Sequence, residues 1–208
     1  MIILLGIILS YLLGSIPTAY IAGRLYKKID IREHGSGNVG ATNVFRVLGK
    51  EAGIIVLVID ILKGLLAVSV LANILGLTEV WQRVVLALAA VSGHNWTIFL
   101  QFKGGKGMAT SLGVLIGLTI AIASIRMVVL VTMLAWLVSF FLTGIVSLSS
   151  IIAGVVLPII MALTNQPFAL VCLGVIICIF VVFRHRPNIK RLLLGQEPRV
   201  NLPFRKKK

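Results

Sequence analysis

Residues Gly35 to Arg46 read GSGNVGATNVFR, a segment dominated by small and polar side chains inside a chain that is 59% hydrophobic. Glycines expose backbone N–H groups and let a ligand approach the main chain, Ser, Thr and Asn add neutral donors, and Arg adds a planar charged fork. Ser36, Gly37, Asn38, Asn43 and Arg46 therefore form a candidate oxyanion cradle. A second segment, SGHNWTIFLQFKGGKGMAT (Ser92 to Thr110), places Gly104, Gly105 and Lys106 before an apolar run. It is not a Walker A loop, because Gly107 follows Lys106 where Ser or Thr is required, yet N–H groups at a helix start beside a Lys still attract an anion. A third, RHRPNIKRLLLGQEP (Arg184 to Pro198), sets His185 and Asn188 three apart, so one helical turn brings them to one face, with Pro187 in its first turn. Each segment also has a plain reading, as a flexible loop or a basic interfacial helix.

The elements that must carry these segments are membrane helices. Over 208 residues the mean hydropathy is +1.08 and only 12% of residues are charged, which excludes an ordinary soluble domain. The apolar runs are continuous where a β-barrel would alternate. Spans are expected at 2–22, 53–76, 80–98, 107–124, 127–145, 147–163 and 168–183, with Gly144 and the following serines dividing the long run from Met127 to Leu163. The expected fold is an all-α polytopic membrane protein of seven transmembrane helices forming one domain over 1–208. The first span lacks a basic n-region and reads as an anchor. Most of the 20 basic residues follow spans one, three and seven, including the terminal RKKK. By the positive-inside rule those loops are cytoplasmic, which puts the amino terminus outside, the carboxyl terminus inside and all three polar motifs on one face. The same clustering argues against nucleic acid as the partner and for membrane lipid.

Within the membrane, Asp60 and Lys63 are i and i+3 on span two and are able to neutralise each other, as a functional group or as a structural pair. His94 reads either as a hydrogen-bonded core histidine or as a site residue. Ser149 and Ser150 open span six and could cap it or donate to a ligand. Gly113 and Gly117 form a GxxxG suited to close helix packing. Cys172 and Cys178 lie six apart on one helix, point in different directions and do not pair.

This inventory binds phosphates and offers little redox or metal chemistry. No Cys and His spacing suits zinc, no G-x-G-x-x-G suits a dinucleotide, no G-x-S-x-G appears, and no His is followed five positions on by Asp. Neither a metal nor a cofactor is expected. An enzyme built this way works by positioning and electrostatics.

Taken together, GSIPTAY (Gly14 to Tyr20), GSGNVGATNVFR, DILKG (Asp60 to Gly64), GH followed by FKGGKGMAT, SLSS (Ser147 to Ser150) and HRPNIKRLLLGQE resemble the bacterial acyl-phosphate:glycerol-3-phosphate acyltransferases of phospholipid synthesis, over nearly the whole chain. The resemblance implies a multi-pass protein of the bacterial inner membrane with its active site facing the cytoplasm. It implies transfer of a fatty acyl group from acyl phosphate to the 1-hydroxyl of glycerol 3-phosphate, giving lysophosphatidic acid and phosphate. Lys106, His185, Asn188 and Ser36 are then the expected catalytic residues. Gly37, Asn38, Asn43, Arg46, Lys63, Gly104, Gly105, Ser149, Ser150 and Glu197 are the expected substrate-binding ones. The chain departs from the family's usual pattern at Asn95 to Thr97, at Gly144 and Ile145, and at Gln196. With no evident protein base, a substrate phosphate oxygen is expected to take the glycerol hydroxyl proton while Lys and Arg stabilise the departing phosphate and His185 orients or donates. A transporter of phosphorylated metabolites would use the same anion-binding residues, but would want ionisable groups near the midplane and internal repeats. A lipid-binding scaffold would explain the basic tail but not the ordered glycines and asparagines.

Overall fold

A computed structural model describes residues 1–200, which fold into α-helices joined by short turns. The RKKK tail lies outside the described residues. The chain divides into two compact units, Met1–Ala123 and Ser124 onward.

In the first unit α1 (Ile2–Ser15) and α2 (Thr18–Lys27) form one interrupted span. The interruption sits at Ile16 and Pro17, because Pro17 has no N–H to continue the helical ladder. A short 3₁₀ turn (Ile31–Glu33) and α3 (Ala41–Val47) lead into α4 (Lys50–Leu66). That helix begins earlier than the apolar pattern suggests, since Glu51 favours its first turn. It runs through a π-helical stretch, Ala67–Leu71, into α5 (Ala72–Ile74). Then come α6 (Val80–Asn95), opened by a Glu79–Gln82 capping box, and α7 (Met108–Ala121). Helix α1 packs along α6 and α4 along α7. Both crossings are close because glycines face backbone: a Cβ at Gly113 would run into the Ile61 carbonyl, and one at Gly14 into that of Ala90. The GxxxG of α7 is thus a packing surface, as its spacing predicts.

The second unit contains α8 (Ile125–Thr143), α9 (Val146–Leu163), α10 (Phe168–Arg184) and α11 (Arg186–Leu193), with α9 packed against both α8 and α10. Gly144 closes α8 in the left-handed conformation (φ 70°), the turn expected between spans five and six. Cys172 and Cys178 are free thiols.

Among the described residues, five helical stretches are long and apolar enough to cross a membrane, and a sixth if α10 and α11, bent by 61°, count as one span. The expected fourth span is shorter than its apolar pattern. Helix α7 has 14 residues, about 21 Å of rise against a hydrocarbon core of about 30 Å. Its shortness has a local cause: the Gly104–Gly107 turn before it is not helical, and Ile122 after it is extended.

Candidate active site

In the first unit the broken span supplies main-chain acceptors where a continuous helix would have none. The Ser15 carbonyl accepts from the Thr97 hydroxyl (2.6 Å) and the Ile16 carbonyl from Lys63 Nζ (3.1 Å). Lys63 pairs with Asp60 (2.8 Å), the same Asp60 oxygen accepts from the Thr18 hydroxyl (2.6 Å), and His94 Nδ1 stands 3.6 Å away. Asp60 and Lys63 are 1% and 3% exposed, so the ion pair predicted from their spacing is fully buried. Asp60 and Ile16 engage two of the three ammonium protons of Lys63. A small pocket opens beside this network, lined by Lys63, His94, the α1–α2 break, Val39, Gly104 and Gly105.

The Gly104–Gly107 turn is folded back on the end of α6. Gly104 N–H donates to the Asn95 carbonyl (3.2 Å) and Gly105 N–H to that of His94 (3.0 Å). These two N–H groups, expected from the sequence as anion donors, are therefore already used. What the two glycines contribute is the absence of a side chain: a Cβ on Gly105 would overlap the His94 imidazole and one on Gly104 the His94 carbonyl. The donors left for an anion are those of the first turn of α7, whose N-cap, Gly107 (φ 77°), provides no side-chain cap. Lys106 sits half-buried at that end.

The first polar loop is organised by Asn43. Expected among the substrate-binding residues, it is 1% exposed and its amide is engaged by the loop itself. Its oxygen accepts from Ser36 N–H (2.8 Å), and its nitrogen donates to the carbonyls of His34 (3.0 Å) and Ile31 (3.3 Å). Ser36 and Arg46 remain exposed, and Gly37 and Asn38 are half-buried. The loop is anchored upstream by Asp30, which accepts from Arg32 Nη2 (2.6 Å), Nε and backbone N–H. The Arg32 guanidinium holds the Asp30 carboxyl down at about 2, outweighing the opposing effect of burial.

In the second unit the carboxylate of Glu197 gathers three donors. Oε1 accepts from the Ser147 hydroxyl (2.7 Å) and Asn188 Nδ2 (2.5 Å), and Oε2 from Arg191 Nε (2.7 Å). Burial alone would raise the pKa of Glu197, but these donors outweigh it and hold the group below its ordinary value. Val200 N–H donates to the Gly144 carbonyl (2.7 Å), fixing the chain after Glu197 to the α8–α9 turn. His185, 2% exposed, closes α10 and opens α11. Its Nδ1 lies 2.8 Å from the Val181 carbonyl and so carries a proton, which makes Nε2 the acceptor nitrogen of the neutral ring. Ser149 and Ser150 do not cap α9: their hydroxyls donate back to the carbonyls of Ile145 (3.0 Å) and Val146 (2.8 Å), and Ser150 also accepts from Trp136 Nε1.

Each unit thus gathers its own share of the expected residues: Ser36, Gly37, Asn38, Asn43, Arg46, Lys63, Gly104, Gly105 and Lys106 in the first, Ser149, Ser150, His185, Asn188 and Glu197 in the second. Sequence reasoning gave no role to Thr18, Ser147 and Arg191. Pro17 marks the break that turns Thr18 toward Asp60, and Arg191 stands three residues beyond Asn188 on the same helical face. Ser147 is one serine among three in SLSS, and its partner is 50 residues away.

Residues 4–195 match the family described as glycerol-3-phosphate acyltransferase. Relatives carrying that description include one from Synechococcus sp. strain CC9902, 43% identical over 197 residues, covering 95% of this chain and 94% of the relative. Another, from Gloeobacter violaceus, is 43% identical over 196 residues and covers 93% of each chain. Two crystal structures of PlsY, an integral membrane glycerol 3-phosphate acyltransferase, share 38% identity with this chain. Its glycerol 3-phosphate form superposes with a TM-score of 0.86 over 96% of both chains, and its lysophosphatidic acid form with 0.83 over 96% and 95%.

Proposed function

As the chain belongs to the glycerol-3-phosphate acyltransferase family, we propose that it transfers a fatty acyl group from acyl phosphate to the 1-hydroxyl of sn-glycerol 3-phosphate, releasing lysophosphatidic acid and phosphate. The observation that carries this reading is the side-chainless Gly104–Gly105 turn, which meets the buried Lys63 and His94 at one pocket and leads through Lys106 into an uncapped helix start. That combination suits a phosphate better than a neutral or cationic ligand. The acceptor and product of the proposed reaction are the two ligands named for PlsY.

The glycerol hydroxyl oxygen attacks the acyl carbonyl carbon and a tetrahedral oxyanion forms. The bond from that carbon to the bridging oxygen then breaks, and the bridging oxygen leaves with the phosphate. The hydroxyl proton passes to a phosphate oxygen of the substrate, so the departing group is hydrogen phosphate and no protein base is consumed. Lys106 and Arg46 offset the growing negative charge, Ser36 and Asn38 donate hydrogen bonds, and Asn43 holds their loop in shape. In the second unit His185, whose Nδ1 faces the Val181 carbonyl, is the residue we assign to orienting substrate. Asn188 is steered by Glu197, and Ser149 and Ser150 keep lone pairs for substrate donors. The acyl tail stays in the bilayer among the helices. In the orientation we infer, seven spans place the amino terminus outside and the site at the cytoplasmic face of a bacterial inner membrane.

The test is a donor comparison. Detergent-purified protein receives glycerol 3-phosphate with long-chain acyl phosphate, acyl-CoA or acyl carrier protein in separate reactions. Lysophosphatidic acid from acyl phosphate alone supports the reading, whereas product from acyl-CoA without product from acyl phosphate refutes the donor.

A further inference from the structure

Two buried polar side chains on the helices that flank the glycine turn have no part in the chemistry above. Asn95, the last residue of α6, is 0% exposed, and neither its amide oxygen nor its amide nitrogen has a hydrogen-bond partner. Thr110, in the first turn of α7, is equally buried with its hydroxyl unpartnered. An unpaired buried amide lowers stability, and an apolar side chain of the same size would avoid that loss.

The position of Asn95 suggests what it is kept for. Its carbonyl holds one end of the turn through Gly104 N–H. Its side chain lies under the other end, where a Cβ on Gly107 would press against Oδ1. Gly107 is left-handed and is the N-cap of an α7 whose first N–H groups have no side-chain cap. The Gly107 carbonyl accepts from Ser111 N–H (2.7 Å) as the first bond of α7, so the Gly107 peptide that turns at this glycine is the one before it, between Lys106 and Gly107.

We infer that Asn95 is a positioning residue for the phosphate turn, acting through the Gly107 peptide and not on the substrate itself. When a substrate phosphate draws the first N–H groups of α7 toward itself, the Gly107 peptide turns over the Asn95 amide and gives it a partner. The buried amide thereby holds the turn in its phosphate-bound shape, with Thr110 available as a second partner within the first turn of the helix. This rests on the proposal that a phosphate binds at the turn. Both substrates carry one, and the experiment separates them.

Wild type, Asn95→Leu and Asn95→Ser are purified in detergent. Melting temperature is measured alone, with glycerol 3-phosphate and with acyl phosphate, and kcat and KM are measured for each substrate. The Leu variant is expected to melt at or above wild type when unliganded, to lose most of the shift produced by one of the two substrates, and to show at least a tenfold rise in the KM of that same substrate. The substrate whose KM rises identifies which phosphate the turn holds. The Ser variant, which retains a hydrogen-bonding group, should recover part of the lost affinity. Wild-type shifts and KM values in the Leu variant would overturn the inference. So would a Leu variant that melts earlier in proportion to its lost activity, or fails to fold, because Asn95 would then be an ordinary stabilising residue. A wild-type protein whose melting is unmoved by glycerol 3-phosphate and by acyl phosphate would refute the phosphate turn itself.

Discussion

Replacing Lys63 by Met should do two separable things. It removes the Nζ that lies 2.8 Å from Asp60 and 3.1 Å from the Ile16 carbonyl, leaving a carboxylate at 1% exposure beside the Thr18 hydroxyl and His94. Breaking one side of a buried ion pair costs about 3–5 kcal/mol. The surviving Thr18 bond puts the Lys63→Met loss at the low end, about 3 kcal/mol. Asp60→Asn alone strands a buried ammonium and should lose about 3–4 kcal/mol. The double variant strands neither charge, and Asn keeps an acceptor for Thr18, so it should lose only about 1–2 kcal/mol, a coupling of about 4–6 kcal/mol against simple addition. Equilibrium unfolding in detergent, followed by tryptophan fluorescence, measures the cycle. A double variant destabilised by the sum of the two single losses would refute the claim that the charges exist for each other. Turnover then separates scaffold from site. If Lys63 also binds a phosphate, the stable double variant stays inactive; wild-type turnover in it would confine Lys63 to the scaffold.

Other consequences are as direct. Asn43→Ala deprives Ser36 N–H and the Ile31 and His34 carbonyls of partners inside the first loop, so it should cost about 1–3 kcal/mol and speed hydrogen exchange across 31–38 more than elsewhere. Glu197→Gln keeps an oxygen for Ser147 and Asn188 but turns an amide donor toward Arg191, and should lose about 1–3 kcal/mol. Because the folded pKa of Glu197 is lowered, its stabilisation is complete above the ordinary glutamate range and fades as pH falls through the folded value. The Gln variant should lose that acid-side slope in a melting series. Asp30, held at about 2, behaves in the same sense: its contribution is complete above the ordinary aspartate range and is lost as pH falls from there through about 2, and Asp30→Asn should show a weaker acid dependence in the same series. Lys106→Ala should lower kcat and kcat/KM together by at least 100-fold if its charge acts on the departing phosphate, and unchanged kinetics would remove it from the reaction.

Helix placement was largely written in the apolar runs, including the break between α8 and α9 at Gly144. Helix α7 was not, because hydropathy extends across Gly107 and Ile122 where the backbone stops being helical. The Asp60–Lys63 pair followed from i, i+3 spacing, but its third and fourth members, Thr18 and His94, come from other helices and follow only from the tertiary fold. Donor-rich loops were legible as such, yet not which donors stay available. Asn43 and the N–H groups of Gly104 and Gly105 look equivalent to their neighbours in sequence, and the path of the chain commits them to internal bonds. Ser147 was hidden for the same reason, since only the return of the chain at Glu197 distinguishes it from Ser149 and Ser150.

The central claim is attack by the glycerol hydroxyl on the acyl carbon, with phosphate as the leaving group. It is tested most directly by supplying palmitoyl phosphate carrying ¹⁸O in its bridging oxygen together with glycerol 3-phosphate, and reading both products by mass spectrometry. The mechanism predicts that the label leaves in orthophosphate and that the lysophosphatidic acid is unlabelled. Label retained in free palmitate, or a phosphorylated glycerol 3-phosphate in place of an ester, would mean that phosphorus is attacked and that this protein is not an acyltransferase of the kind described.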